Sequence, residues 1–197
     1  MVKLWFWCIV LTQGLHAECW AQGPVSHEGA GKRMDRVEFA SVVIADSLLK
    51  QFLFSNAKNW IKLLNHHDER TSITLEDSIS GRVLGKSLFF VYSQTGILKK
   101  VSGAISYNLS IEVKDNKYRY RFSDFVFHYF KQDRYYNMVE TGKTKPLEDT
   151  EASGWQKLWA QHKSTTYLKI HDQINAMKIK MVEKQRIATE KKVEIEW

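Results

Sequence analysis

Residues Gly103–Phe130, GAISYNLSIEVKDNKYRYRFSDFVFHYF, read as one long β-hairpin whose arms can be set in register from the side chains alone. In the first arm Ile105, Tyr107, Leu109, Ile111 and Val113 alternate with Ser106, Asn108, Ser110, Glu112 and Lys114, the period-two pattern of a strand with one dry face. Asp115-Asn116 is turn chemistry, because both residues tolerate positive φ at modest cost. A two-residue turn there sets Val113 against Tyr118, Ile111 against Tyr120 and Leu109 against Phe122, with Glu112 opposite Arg119 on the other face. After Phe122 the apolar phase slips by one, to Phe125, Phe127 and Tyr129. A bulge at Ser123-Asp124 is therefore expected, restoring Tyr107 with Phe125 and Ile105 with Phe127.

Around this hairpin, a first strand is expected from Arg36, carried by Val37, Phe39 and Val43 and ending near Ala45. Asp46-Ser47 reads as the N-cap of an amphipathic helix, with Leu49, Phe52, Leu53, Trp60, Ile61 and Leu64 recurring at three and four to about Asn65. Ser72–Ser78 and Arg82–Tyr92 form a second hairpin about Ser80-Gly81, with Gly85 a bulge or a close backbone approach. A polar connection, Ser93–Lys100, precedes the long hairpin. After it come a loop rich in Tyr, Asn, Gly and Lys ending at Pro146, a Trp-bearing helical piece, Ala152–Lys163, and a long helix from about Thr165. The order strand, helix, four strands, helix gives an α+β fold: an antiparallel sheet of about five strands with helices on one face.

With 197 residues, 44% hydrophobic and 26% charged, the composition fits one globular domain with extensions. The N-terminus differs in kind. Lys3 precedes the apolar run Leu4–Leu11, and a polar stretch then ends Cys19-Trp20-Ala21-Gln22, the order of an export signal. The run falls well short of the roughly 20 residues that a spanning helix needs. Cleavage is expected after Ala21, with Gly23 the alternative, so residues 1–21 form the signal peptide and 22–35 a flexible leader. A domain follows over 36–182, then a charged helical extension over 183–197. An intracellular protein with an apolar N-terminal helix is the competing reading, because the basic region before the run holds a single lysine. Cys8 and Cys19 are the only cysteines, so the processed chain would carry no disulfide, thiolate nucleophile or sulfur ligand.

A net charge of +7 and a pI near 9.3 invite nucleic acid or anionic lipid as partners. Export argues against nucleic acid, and the basic residues are interspersed with acids. In the last helix Ile170, Ile174, Met177 and Met181 make a narrow apolar stripe. Lys169, Lys180 and Lys191 each have an acid three positions on, a mixed outer face poorly suited to holding anionic lipid.

The strand leading into Asp46-Ser47, the helix end Trp60-Ile61, Asp77 with Gly81–Lys86, Ile105–Ile111, Lys114–Tyr120, Phe122-Ser123-Asp124 and Pro146-Leu147-Glu148 together carry a resemblance. Over Arg36–Met181 the chain resembles the exported Bacteroidetes family known as domain of unknown function 4468, described as having a TATA-box-binding-protein-like (TBP-like) fold. The resemblance implies that fold and a periplasmic or extracellular location. It brings no established activity, and the fold name implies nothing about DNA.

No residue acquires a catalytic, cofactor or metal role. His66-His67-Asp68-Glu69 places four ligand types in a row, but adjacent side chains point apart, and a solvated loop is the better reading. Gly29-Ala30-Gly31-Lys32 fails as a phosphate loop, since Ser26 stands at the first glycine position and Arg33 replaces Ser/Thr. No Gly-x-Ser-x-Gly elbow occurs, and nothing in the spacing brings Asp77, Asp124 and Glu140 together. In Tyr118-Arg119-Tyr120-Arg121-Phe122 alternation sends rings to the core and arginines to water, against an RNA-stacking strand. Trp155, Leu158, Trp159 and Tyr167 read as anchors of the C-terminal segment rather than a sugar-binding shelf. The expected function is that of an exported, non-catalytic binding or structural module of the bacterial envelope, its partner an envelope protein or glycan. An enzyme with a dispersed site and a membrane-surface module are the alternatives.

Overall fold

In chain order the elements are β1 (Phe39–Ile44), α1 (Lys50–Leu63), β2 (Glu69–Asp77), β3 (Arg82–Tyr92), β4 (Val101–Lys114), β5 (Lys117–Gln132), β6 (Met138–Pro146) and α2 (Gln156–Val182). They come from a computed structural model that describes residues 36–65, 68–93 and 100–183. The expected export segment and leader, His66, His67, residues 94–99 of the expected polar connection and residues 184–197 of the expected C-terminal extension lie outside those residues.

The long hairpin is β4–β5, and its register is the one read from the side chains: Val113 faces Tyr118, Ile111 faces Tyr120, Leu109 faces Phe122 and Glu112 faces Arg119. Asn116 takes φ 62° in the turn. The bulge also lies where the phase slip put it. Ser106 pairs with Val126 and Asn108 with Ser123, so Asp124 and Phe125 together oppose Tyr107. Asp124 is the strained residue, at φ 57°, and it is held there because its carboxylate accepts from Asn108 Nδ2 (2.9 Å) and Ser123 Oγ (3.0 Å). The Tyr107 ring then stacks on Phe125, with 5.5 Å between centroids.

The sheet runs β1-β5-β4-β3-β2, and β6 adds to the same edge of β5 as β1. β1 lies along Lys117–Phe122 and β6 along Val126–Gln132, on either side of the bulge. The sheet thus has six strands. The stretch expected as a loop before Pro146 is β6, an edge strand most of whose residues are exposed. It shows no apolar alternation, carries Gly142 at φ 76° and ends in the proline, features an edge tolerates and a central strand does not.

Both helices cover one face. Trp60 of α1 meets Phe122 edge-on at 6.3 Å and Trp159 of α2 meets Phe127 at 5.6 Å, while Asn56 Nδ2 donates to the Met181 carbonyl and ties the helices together. β1 begins at Phe39 rather than Arg36 and β2 at Glu69 rather than Ser72, and two helix boundaries differ from expectation. Asp46-Ser47 does not cap α1: Ser47 sits in a turn at φ 64°, and the helix begins at Lys50. Its cap comes from the far hairpin turn, where Asp115 Oδ1 accepts the Lys50 N–H at 2.7 Å and sets a carboxylate at the positive helix end. The two expected C-terminal helical pieces are one helix, α2. Ser164-Thr165-Thr166 does not break it, because the Thr166 hydroxyl bonds the His162 carbonyl one turn back at 2.8 Å. Ile170, Ile174, Met177 and Met181 are all buried. Among the described residues no helix is long and apolar enough to cross a membrane.

Tyr120 is 6% exposed, whereas the Arg121 side chain is 53% exposed and pairs with Glu38 at 3.1 Å. Tyr120→Ala should therefore cost on the order of 3 kcal/mol in chemical denaturation, and Arg121→Ala less than about 1 kcal/mol. Equal, small effects would mean that the register is wrong.

Candidate binding face

Alternation along β4 gives the sheet two unlike faces. Ile105, Tyr107, Leu109, Ile111 and Val113 lie beneath the helices, while Ala104, Ser106, Asn108 and Ser110 point to the face that neither helix covers. These short side chains form a floor between taller rows. On β3 the same face carries Leu84, Lys86, Leu88 and Phe90; on β5 it carries Arg119, Arg121, Val126, His128 and Phe130. The result is a shallow groove over the Asn108–Glu112 part of β4, whereas Ala104 at the other end is fully buried.

At its arginine end a hollow of about 190 Å³ is lined by Arg82, Leu84, Ser110, Glu112, Arg119 and Arg121. A second hollow, of about 250 Å³, is lined by residues that include Leu84, Lys86, Asn108, Ser110 and Ser123, so the two meet at Leu84 and Ser110. Glu112 sits between two cations, 2.6 Å from Arg119 and 3.7 Å from Arg82. At the other end Phe90 and Phe130 meet edge-on at 5.9 Å, and the Arg70 guanidinium stands 5.8 Å over the Phe90 ring.

Beside that aromatic end, register brings three polar side chains of three strands together. Ser106 Oγ lies 2.8 Å from His128 Nε2, and His128 Nδ1 lies 2.7 Å from Glu140 Oε1. The atom order is that of a nucleophile, a base and the acid that orients it. Ser106 sits opposite Leu88 and Val126 in a strand paired on both sides, so neighbouring backbone N–H groups serve the ladders rather than gathering to hold an oxyanion. Of the three carboxylates named from the sequence, Glu140 meets His128, Asp124 pins the bulge, and Asp77 accepts the Ile79 and Ser80 N–H groups in the β2–β3 turn. They do not converge. The Asp124 pKa is held below the usual carboxylate value, chiefly by the Asn108 hydrogen bond and further by Ser123 and Arg36.

The helix-covered face holds a polar cluster about Glu69, which the sequence reading placed in a solvated loop. Glu69 is not part of a charged loop; it begins β2 and is 3% exposed. Its Oε1 accepts from Ser87 Oγ (3.0 Å), Tyr107 OH (3.0 Å) and Gln173 Nε2 (2.5 Å), while Lys169 Nζ approaches Oε2 at 3.1 Å. Tyr107 OH also reaches Gln173 Oε1 at 2.9 Å. With one proton, the phenol donates to one of these acceptors at a time. Burial, and next the Glu69 charge, push the Tyr107 pKa well up, so this proton stays. Asp68 is likewise engaged, accepting from Tyr92 OH at 2.7 Å. The signal for the cluster was present: Tyr107 and Gln173 are polar groups at inward positions, and such groups need partners. Lys180 does pair with Glu183, at 2.5 Å, whereas Lys169 turns inward to Glu69.

Nearby, His162 is wholly buried, stacked on Phe127 at 5.5 Å, with Nε2 2.9 Å from Ser102 Oγ. Its Nδ1 has no hydrogen-bond partner, and burial pushes its pKa down to about 4. Trp155 and Trp159 serve as anchors, their rings 5.2 Å apart and both against Phe127, with Trp159 Nε1 donating to the Asp149 carbonyl at 2.7 Å.

Residues 39–128, β1 through most of β5, match the family model described as "Domain of unknown function (DUF4468) with TBP-like fold". The fold is TBP-like. A crystal structure of a DUF4468 family protein from Bacteroides ovatus ATCC 8483 superimposes with a TM-score of 0.51 at 12% identity, covering 72% of this chain and 85% of that one. A TBP-like protein from Parabacteroides distasonis ATCC 8503 gives a TM-score of 0.48 at 18% identity, with coverage of 73% and 93%. At such identities the likeness concerns the fold alone. No curated protein matches the chain. The matched TBP-like region contains Ser106, His128 and the β3, β4 and β5 residues that line the groove as far as His128; Phe130, Glu140, Gln173 and Lys169 lie beyond it.

Proposed function

We propose that the chain is a non-catalytic binding module of the bacterial cell envelope, exported by the apolar segment after Lys3, that takes its ligand on the open face of the sheet. The match over residues 39–128 supports extending the DUF4468 assignment to the whole chain. The observation that carries the reading is the groove along β4, where half-buried Leu84, Leu88 and Phe90 stand beside exposed cations with no helix above them. The opposite face is filled by its own core and by the Glu69 cluster, which leaves no room for a guest.

The test is co-sedimentation of the processed protein with isolated envelope material. Leu88→Asp and Arg121→Glu should abolish it without lowering the melting temperature by more than a few degrees. Failure of the native protein to co-sediment, or equal retention of folded variants, would refute the reading. Location is checked by intact mass, which should give a chain that begins at or near Gln22.

The Ser106–His128–Glu140 arrangement favours a second reading, an enzyme acting on esters. A fluorophosphonate probe separates the two. Labelling of Ser106 that disappears in His128→Ala would make the chain a hydrolase. An unlabelled protein supports the binding module.

A further inference from the structure

We infer that the free edge of β1 pairs with the same edge of a second copy of this chain, joining two sheets about a two-fold axis through Val42.

Backbone parity identifies the groups left over at that edge. The Ala45 N–H donates to the Asn116 carbonyl at 2.8 Å, one step beyond the last β1–β5 pair, Ile44 with Lys117. Counting back by twos, Val43, Ser41 and Phe39 turn their N–H and C=O groups toward β5, and Ala40, Val42 and Ile44 turn theirs away from the sheet. Among the described residues no strand lies on that side of β1. The Ser41 hydroxyl reaches the Val42 carbonyl at 3.4 Å, and that oxygen keeps a second lone pair.

The sheet's other edge strands are defended against pairing. β2 carries Arg70, Glu76 and Asp77 and a register shift between Ile73 and Leu75. β6 carries Lys143 and Lys145, Gly142 at φ 76° and Pro146. Charge, irregular register and proline each keep an edge from recruiting a further strand. β1, Phe39-Ala40-Ser41-Val42-Val43-Ile44, has none of them, and its pairing with β5 runs without a shift. It is apolar on both sides: Val42 is 59% and Ile44 72% exposed on the open face, while Phe39 and Val43 are partly buried on the helix face.

Symmetry selects a second copy over an unrelated strand. The free residues Ala40, Val42 and Ile44 are centred on Val42, so an antiparallel two-fold there sets Val42 against its own equivalent and Ala40 against the second copy's Ile44, each pair exchanging both of its backbone hydrogen bonds. The small Ala40 side chain then sits beside the large Ile44. No charged residue falls within the ladder; Glu38 and Asp46 lie beyond its ends, and Glu38 is held by Arg121 at 3.1 Å. The nearest cation rows, Lys117, Arg119 and Arg121 of β5, stand three strand spacings apart across the seam, about 14 Å, which exceeds the screening length of about 8 Å in physiological salt. Both open faces look the same way and stay uncovered, so the contact stands whether or not they hold a ligand.

Sedimentation velocity of the processed protein over a range of concentrations should show a monomer–dimer equilibrium. Val42→Lys and Val42→Glu, at a solvent-exposed position that leaves the fold intact, should each weaken it by about tenfold or more, because the axis sets each new charge against itself. Mixed in equal amounts the two variants should dimerise again, since lysine then faces glutamate. Ile79→Lys, which exchanges an exposed apolar side chain for a charge in the β2–β3 turn, should leave the equilibrium unchanged. A monomer at every concentration overturns the inference, and so does a dimer that persists in either charged variant. Failure of the mixture to recover overturns it as well, by taking the axis away from Val42.

Discussion

A chain ended after Thr165 is expected not to fold. The cut removes Ile170, Ile174, Met177 and Met181, all buried against α1 and the sheet. At roughly 1.5–3 kcal/mol for each buried side chain, the lost burial is on the order of 6–12 kcal/mol. A domain of this size has a net stability of about 5–15 kcal/mol, so most or all of it goes. Gln173 and Lys169 leave with the helix, and the Glu69 cluster loses an amide donor and its cation. Circular dichroism melting decides the matter: the shortened chain should show no cooperative transition. A sharp melt within a few degrees of the full-length protein would show that α2 is an appendage.

The second large effect is pH dependence from His162. Its folded pKa is depressed to about 4, against an ordinary value of 6.5, because the buried ring cannot accommodate a proton. Between those values the unfolded chain binds the proton and the folded one does not, so this contribution is complete above pH 6.5 and is lost as pH falls toward 4. The gap corresponds to on the order of 3 kcal/mol. Asp77, Asp124 and Asp149 have lowered pKa values, so their contributions disappear only as pH drops below their ordinary 3.8, beneath the histidine window. Urea denaturation at pH 7.0 and 4.5 should differ by most of that amount in the native chain. His162→Leu should flatten the difference. A slope unchanged in the variant would assign the effect elsewhere.

The β4–β5 hairpin was legible to the residue, bulge included, because every inward position between Ile105 and Phe127 is large and apolar and a slip of one would bury Glu112 and Arg119. β6 was not legible, since an edge strand with half its ladder facing solvent needs neither alternation nor β-formers, and Met138–Pro146 has neither. Asp46-Ser47 misled for a related reason. A cap from Asp115, 65 residues away, leaves no trace beside the helix it caps. The site divides in the same way. That Arg119 and Arg121 face outward followed from parity, but the partners of Ser106 and Glu69 depend on which strand lies beside which, and pairing across a fold cannot be read from one strand at a time.

The alternation along β4 sets two regimes of substitution on one strand. Inward positions such as Ile105, Leu109 and Ile111 sit in a filled interior, where the loss or gain of a methylene is felt throughout the core. On the other face Ser106, Asn108 and Ser110 are half-buried; Ser106 and Asn108 bond His128 and Asp124, but away from such contacts exchanges on this face typically shift stability by no more than about 0.5 kcal/mol. Change can therefore accumulate on the groove floor while the scaffold stays fixed. Homologues that share this sheet are free to diverge on that face without renegotiating how they fold.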